Sequence, residues 1–299
     1  MDKVFEKNTF GKRLTSMLHV DFRRMITTPL IYIILGICLV APVLIFVMTT
    51  MMDGMETVNP ETNEVEITES KFDNFWQIIG TVSDPSKIPS SDDSSDTSSD
   101  TTDTSTDIDK EGKQNPMGDM DITSMVNINM LYFAVAIYVC LFVGADFRSG
   151  YSKNLFTVRS SKVDYVISKI LVGMVAGVLM LIAFFIGSVI GGAIMQIPFD
   201  PIEIGASAYS VAFCLLSKVC LVGVFVPIYV LASVITKQRV WLAIILSVGI
   251  GMLLFTMIPM ITPLDSSFIN PVLCLVGSLL FSVGLGAVSN IVLKNTSLV

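Results

Sequence analysis

Long apolar runs separated by polar connectors dominate the chain and predict a membrane protein with six spanning helices. Each run approaches or exceeds the length of about 20 residues that an α-helix needs to cross the hydrocarbon core. The predicted spans are residues 29–50, 125–145, 168–197, 207–235, 240–261 and 271–293. Two prolines, Pro259 and Pro263, predict a broken segment over residues 257–271. The expected fold class is an all-α polytopic membrane protein.

A shorter periodic pattern precedes the first span. Apolar side chains recur there every three or four residues, at Phe10, Leu14, Leu18, Phe22 and Met25. Charged residues fall between them and are expected to face away from this apolar stripe, at Lys12, Arg13, Asp21, Arg23 and Arg24. The pattern predicts an amphipathic helix within the cytosolic segment 1–28 that lies along the inner leaflet. An ordinary basic flank of the first span is the alternative.

Basic residues concentrate in alternate connectors and so predict the orientation. Lysine and arginine occur in residues 1–28, in the connector 146–167, around residue 238 and in the tail 294–299. The connectors after the third and fifth spans contain no base. Because short cytosolic loops are enriched in lysine and arginine, both termini are expected in the cytosol.

Composition agrees with a membrane protein, since 52% of residues are hydrophobic and only 15% are charged. The net charge of -7 is distributed unevenly, because residues 51–125 hold 18 of the 26 acids and 4 of the 19 bases. An acidic extracellular loop is therefore expected over residues 51–124. Its Ser-, Thr- and Asp-rich part, residues 90–107, is expected to be disordered. A solvated spacer is favoured there over a trap for cationic peptides or ions.

The chain shows no pattern of catalytic chemistry. Gly-Lys pairs occur at Gly11-Lys12 and Gly112-Lys113, and Glu6 and Asp107 stand where a Walker A motif requires its first glycine. No nucleophile and base, paired carboxylates or metal-ligand spacing point to one pocket. We therefore expect no enzyme activity, no bound cofactor or metal, and no nucleic-acid partner.

A few polar residues and glycines within the spans suggest further roles. Lys218 lies inside the fourth span, where a charge is costly, so a substrate-pathway role and a structural pair both stay open. Asn127 and Asn129, near the outer end of the second span, suit either a substrate seam or the interface. The pairs Gly173/Gly177 and Gly187/Gly191 predict close helix packing, within the chain or in a dimer.

The basic connector after the second span has the most distinctive pattern. Asp146 precedes Gly150 by four residues, and Lys153-Asn154, Ser161-Lys162 and Lys169 follow. This spacing resembles the permease subunits of type-2 ABC (ATP-binding cassette) transporters, above all the small bacterial branch that handles lantibiotics, other peptides and antibiotics. That branch usually has Glu and Arg where this chain has Asp146 and Lys162.

The resemblance implies that this connector is a coupling segment that contacts an ATPase subunit. The residues expected at that contact are Asp146, Arg148, Gly150, Lys153, Asn154, Arg159, Lys162 and Lys169. It further implies two ATPase subunits that bind ATP and magnesium, and a second copy of this permease or a related one. The expected function is export of amphipathic peptides or antibiotics across the bacterial cytoplasmic membrane. An ion-exporting ABC permease and a non-transport membrane sensor or assembly protein are the alternatives.

Overall fold

Long apolar helices make up most of the protein. The computed structural model describes residues 10–52, 55–58, 65–68, 72, 74–82, 127–158, 162–237, 239–255 and 257–295. The helices there are α1 (Phe10–Thr27), α2 (Pro29–Met52), α3 (Leu131–Arg148), α4 (Tyr151–Val158), α5 (Val163–Ile194), α6 (Ala208–Thr236), α7 (Val240–Phe255), α8 (Ile258–Ile261) and α9 (Ile269–Asn295). Single 3-10 turns lie at Phe75–Ile78, Ile128–Met130 and Pro201–Ile204.

Five described helices are long and apolar enough to cross a membrane, which makes the chain a polytopic membrane protein. They are α2, α3 with its preceding turn, α5, α6 and α9. The sixth apolar segment, α7, has 16 residues. At 1.5 Å per residue it is about 24 Å long, shorter than the hydrocarbon core of about 30 Å. It ends at Phe255, and the single turn α8 follows in the region where Pro259 and Pro263 predict a break.

Helix α6 lies at the centre of the bundle and packs against α3, α5, α7 and α9, while α2 lies along α5. Both predicted glycine pairs make close contacts within the chain. Gly173 and Gly177 face valines of α6, and Gly187 and Gly191 face the backbone and side chains of α2. Without a Cβ at these positions, neighbouring backbones can approach closely, so the glycines set the spacing of α5 from two other helices.

Helix α1 packs against α5 through buried residues that recur at every fourth position. These residues are Met17, Asp21 and Met25, whereas Phe10 is 48% exposed. The sequence prediction that Asp21 lies away from the packed face was therefore wrong. The reason is tertiary, because the acid meets basic side chains of the same bundle and is stabilised by them.

A small ordered piece precedes the second span on the side opposite the connector. Strands β1 (Met55–Val58) and β2 (Val65–Thr68) pair antiparallel, with Met55 opposite Thr68, and add a hairpin to the helical fold. Phe75 stacks on Phe199 with ring centroids 4.5 Å apart, and the Asn74 amide donates to the Asp200 carbonyl over 2.7 Å. These contacts attach the turn at residues 74–78 to the connector between α5 and α6. The acidic tract 90–107 lies outside the described residues.

Candidate functional site

The connector between α3 and α5 contains a short helix set off by a glycine. Helix α3 continues to Arg148, so Asp146 lies in its last turn. Gly150 has a φ of 73°, in the left-handed region that favours glycine, and allows the chain to turn from α3 into α4. Helix α5 begins at Val163, five residues before the predicted third span. Arg159 lies outside the described residues.

Four charged side chains from three helices meet beneath this connector. We call Asp21 and Arg24 of α1, Asp146 of α3 and Lys169 of α5 the charge cluster. Lys169 Nζ lies 2.8 Å from Asp21 Oδ1 and 2.7 Å from Asp146 Oδ2. Arg24 Nη2 lies 2.6 Å from Asp146 Oδ1. Two acids thus balance two bases, of which Arg24 is partly exposed and Lys169 fully buried, and the cluster links α1, α3 and α5.

Hydrogen bonds and rings complete the charge cluster. The Ser168 hydroxyl donates to Asp21 Oδ2 over 2.6 Å, and the Tyr165 hydroxyl donates to Asp146 Oδ2 over 3.2 Å. The guanidinium of Arg24 lies 4.5 Å from the ring centroid of Tyr151, the first residue of α4. Partial burial opposes the charge of Arg24, but Asp146 and Asp21 outweigh this effect and raise the pKa of the guanidinium. The cluster therefore contacts the start of α4 and supports it with a fixed group of charges.

The structure divides the predicted contact residues into buried and exposed groups. Asp146 and Lys169 have no exposed surface, so their side chains are not accessible to another chain. Arg148, Lys153 and Asn154 are exposed on and beside α4. Lys162 is half-buried, and its ammonium group donates to the Leu293 carbonyl of α9 over 2.6 Å. Asp146 and Lys169 are therefore fixed within the bundle. Arg148 and Lys153 give the connector an exposed basic surface.

Sequence reasoning missed two members of the charge cluster, Asp21 and Arg24. Asp21 is the only acid in α1, a helix that otherwise carries bases. A single acid in a basic interfacial helix is a signal that could have indicated a buried partner. The sequence does not reveal which base that acid meets, because Lys169 lies 148 residues away along the chain.

A second polar group lies at the other end of the bundle, toward the N-terminal ends of α3 and α6. The buried ammonium group of Lys218 donates to Asn129 Oδ1 over 2.7 Å and to Thr262 Oγ1 over 3.1 Å. Asn127 caps the turn that carries Asn129, since its side chain accepts from the Asn129 amide. The three predicted pathway residues therefore lie in one place, where Lys218 connects the segments before α3 and after α8.

Lys218 also borders a cavity of about 200 Å³ between α5 and α6. Its other lining residues are apolar: Ile128, Leu181, Ile182, Phe185, Leu215 and Val219. A cavity with an apolar wall and one cationic side chain favours a ligand with an apolar body over a small ion. Within the described residues, no group of three or more His, Cys, Asp or Glu side chains could hold a metal ion.

We expect Asn129→Leu to destabilise the protein more than Lys218→Met. The first change leaves a buried ammonium group with one neutral partner and costs about 3 kcal/mol, whereas the second removes the charge and costs about 1 kcal/mol. Thermal unfolding of the purified protein in detergent would measure both. The double variant Asn129→Leu/Lys218→Met should be more stable than Asn129→Leu alone, and a strictly additive loss would contradict a direct interaction.

Taken together, the five long apolar helices, the shorter α7 and the exposed connector define a multi-pass membrane protein with a surface presented outside the bilayer. A family described as ABC-2 family transporter protein matches residues 101–256, just over half of the chain. The chain belongs to this family and is a transmembrane permease subunit, a class whose general partner is an ABC ATPase. No curated protein and no solved structure matches the chain.

Proposed function

We propose that this chain is the permease subunit of a bacterial exporter of amphipathic peptides or antibiotics, driven by ATP hydrolysis in two separate ATPase subunits. A second copy of the chain, or a related permease, completes the transmembrane unit. The exposed face of α4, anchored by the charge cluster, is the observation that carries the proposal. A short helix with an exposed lysine, held at the ends of two membrane helices, can transmit motion from outside the bilayer into the bundle.

The residues have distinct roles in this mechanism. Arg148, Lys153 and Asn154 are exposed and meet the ATPase. Asp146 and Lys169 position α4, since their ion pair joins the last turn of α3 to α5. ATP-driven closure of the ATPase pair moves α4, and α3 and α5 carry the motion into the membrane region. The bound ATP and magnesium belong to the partner.

The apolar character of the interior supports the substrate class. The cavity beside Lys218 offers mostly apolar surface, and the charge cluster lies at the connector rather than along a membrane pathway. An ion pathway requires polar or charged groups that replace the hydration shell of the ion. An amphipathic peptide or antibiotic instead gains stability from apolar contacts within the membrane region.

Charge reversal on α4 tests the coupling role. We expect Lys153→Glu to weaken co-purification with the co-expressed ATPase by about tenfold or more, because like charges brought together at an interface cost several kcal/mol. The matched control is Arg239→Glu, which reverses an exposed base in the connector between α6 and α7. Equal losses in the two variants would indicate a general effect of cytosolic charge and would overturn the assignment of α4.

A susceptibility assay tests the substrate class separately. Deletion of the gene should raise the sensitivity of cells to cationic amphipathic peptides, and the wild-type gene should restore resistance while Lys153→Glu should not. A deletion strain that changes only in its tolerance of metal or alkali cations would favour ion export instead.

A further inference from the structure

A second cavity, distinct from the site at Lys218, lies between α5 and α9. Its volume is about 520 Å³, within the range of ligand-binding pockets. Its walls are the α5 face from Val163 to Met174 and the α9 face from Leu279 to Asn290. Leu279 is 60% exposed and Val283 is 72% exposed, so the cavity opens sideways, toward the bilayer. We call it the lateral cleft.

The length of the lateral cleft matches one leaflet of a membrane. Each wall covers 11 residue steps, or about 16 Å of helix, and half of the hydrocarbon core is about 15 Å. The cleft starts at the first residue of α5, beside the basic connector, and ends near the middle of the span. With the orientation inferred from the basic residues, it lies in the inner leaflet.

Two polar residues line the lateral cleft: Ser282, whose hydroxyl donates to the Gly223 carbonyl, and Asn290 at the connector end. Asn290 lines that end, and its Oδ1 atom is buried and makes no hydrogen bond within the described part of the chain. Lys162 Nζ lies 2.6 Å from the Leu293 carbonyl, and the next residue, Lys294, is exposed. Two basic residues thus flank the connector end of the apolar groove, since Lys162 precedes the lining residue Val163 and Lys294 lies one helical turn beyond Asn290, whose amide oxygen is unsatisfied.

We propose that the lateral cleft binds an anionic phospholipid of the inner leaflet. One acyl chain lies along the groove between α5 and α9, and the headgroup meets Lys162, Lys294 and the Asn290 side chain. The apolar length fits a chain of one leaflet, and the two lysines complement a negative phosphate. A headgroup hydroxyl supplies the donor that Asn290 Oδ1 lacks. The proposal does not depend on which substrate is transported.

Gly286 provides a sharp test, because its position in the cleft can be filled without a backbone clash. A Cβ added there would contact Ile170 Cδ1 at 3.5 Å and Val166 Cγ1 at 4.0 Å, which is ordinary packing. A Cβ at Gly284, two residues earlier on the same helix, meets nothing within 4 Å. Gly286→Leu therefore occupies the lateral cleft, and Gly284→Leu is its matched control on α9. Ala287→Leu is a second cleft-filling variant should Gly286→Leu fail to fold.

The full chain would be reconstituted in phosphatidylcholine nanodiscs that contain phosphatidylglycerol with a photoactivatable acyl chain. After illumination, mass spectrometry maps the adducts, which we expect on residues 163–174 and 279–290. Gly286→Leu should lower this labelling about tenfold, because the groove is then filled. Gly284→Leu should stay within about twofold of the wild type, as surface changes do.

A second arm tests the headgroup with the same photoactivatable chain on phosphatidylcholine. Labelling of the lateral cleft should be about tenfold weaker than with phosphatidylglycerol, and Lys162→Gln/Lys294→Gln should remove the difference. Equal labelling by the two lipids in the wild type would overturn the anionic assignment. Unchanged labelling in both cleft-filling variants, or no adducts on either wall, would overturn the site itself.

Discussion

Lys169→Met should destabilise the protein more than any other single change of a charged residue described above. The variant leaves the buried carboxylates of Asp21 and Asp146 with one base, Arg24, in place of two. Removing one partner from a buried ion network costs about 3–5 kcal/mol, because an uncompensated charge stays in the interior. We expect the apparent unfolding temperature in detergent to fall by about 8 °C or more.

Two further variants separate the ion network from a general effect of losing a lysine. Lys153→Met removes an exposed ammonium group from α4 and should leave the unfolding temperature nearly unchanged. Lys169→Met/Asp21→Asn restores the charge balance of the cluster, so it should recover part of the lost stability. A Lys169→Met protein as stable as Lys153→Met would show that the cluster does not hold the connector in place.

Gly187→Ala should separate α2 from α5. A Cβ at position 187 would overlap the backbone carbonyl oxygen of Leu39 and come within 2.8 Å of Pro42 Cγ. Since a backbone atom of a helix cannot move alone, the two helices must shift and lose contacts along their length. We expect a loss of about 3 kcal/mol in the free energy of unfolding, the upper range of overpacking effects.

A glycine series on other helices supplies the control. In Gly223→Ala the new Cβ meets the Ser278 hydroxyl and the Met174 methyl group, which can rotate away, and it lies 3.1 Å from Ser278 Cβ, which needs only a small shift, so the loss should be smaller. In Gly284→Ala it meets nothing within 4 Å, and stability should not fall, because alanine favours the helix. Thermal unfolding should therefore rank Gly187→Ala below Gly223→Ala and Gly223→Ala below Gly284→Ala; any other order would contradict the close α2–α5 contact.

The sequence predicted the membrane class and the place of the connector for a simple physical reason. Both depend on local composition: an apolar run of sufficient length must be helical in lipid, because its backbone groups have no water to bind. The family resemblance was likewise read from a local spacing, from Asp146 to Lys169, which lies within the residues that the family matches. The length of α7 was less predictable, since residues 257–261 are apolar yet the helix stops at Phe255.

The polar residues within spans illustrate what a sequence leaves open. The sequence marked Lys218 as costly and Asn129 as a polar neighbour of the second span, but it left a pathway and a structural pair as equal alternatives. The structure brings the two side chains to 2.7 Å and adds Thr262, which lies beyond the fifth span. Long-range pairs of this kind depend on how the helices pack, so no local pattern predicts them.

The connector shows most clearly which features depend on the sequence alone and which depend on the tertiary structure. Its sequence determined by itself that a basic, glycine-broken segment stands between two apolar helices, because charge and chain stiffness are properties of the residues themselves. Only the tertiary structure decided that Asp146 and Lys169 face inward while Lys153 and Asn154 face outward. That decision depends on α1, whose Asp21 and Arg24 approach from more than a hundred residues away and make burial of the inner pair energetically acceptable.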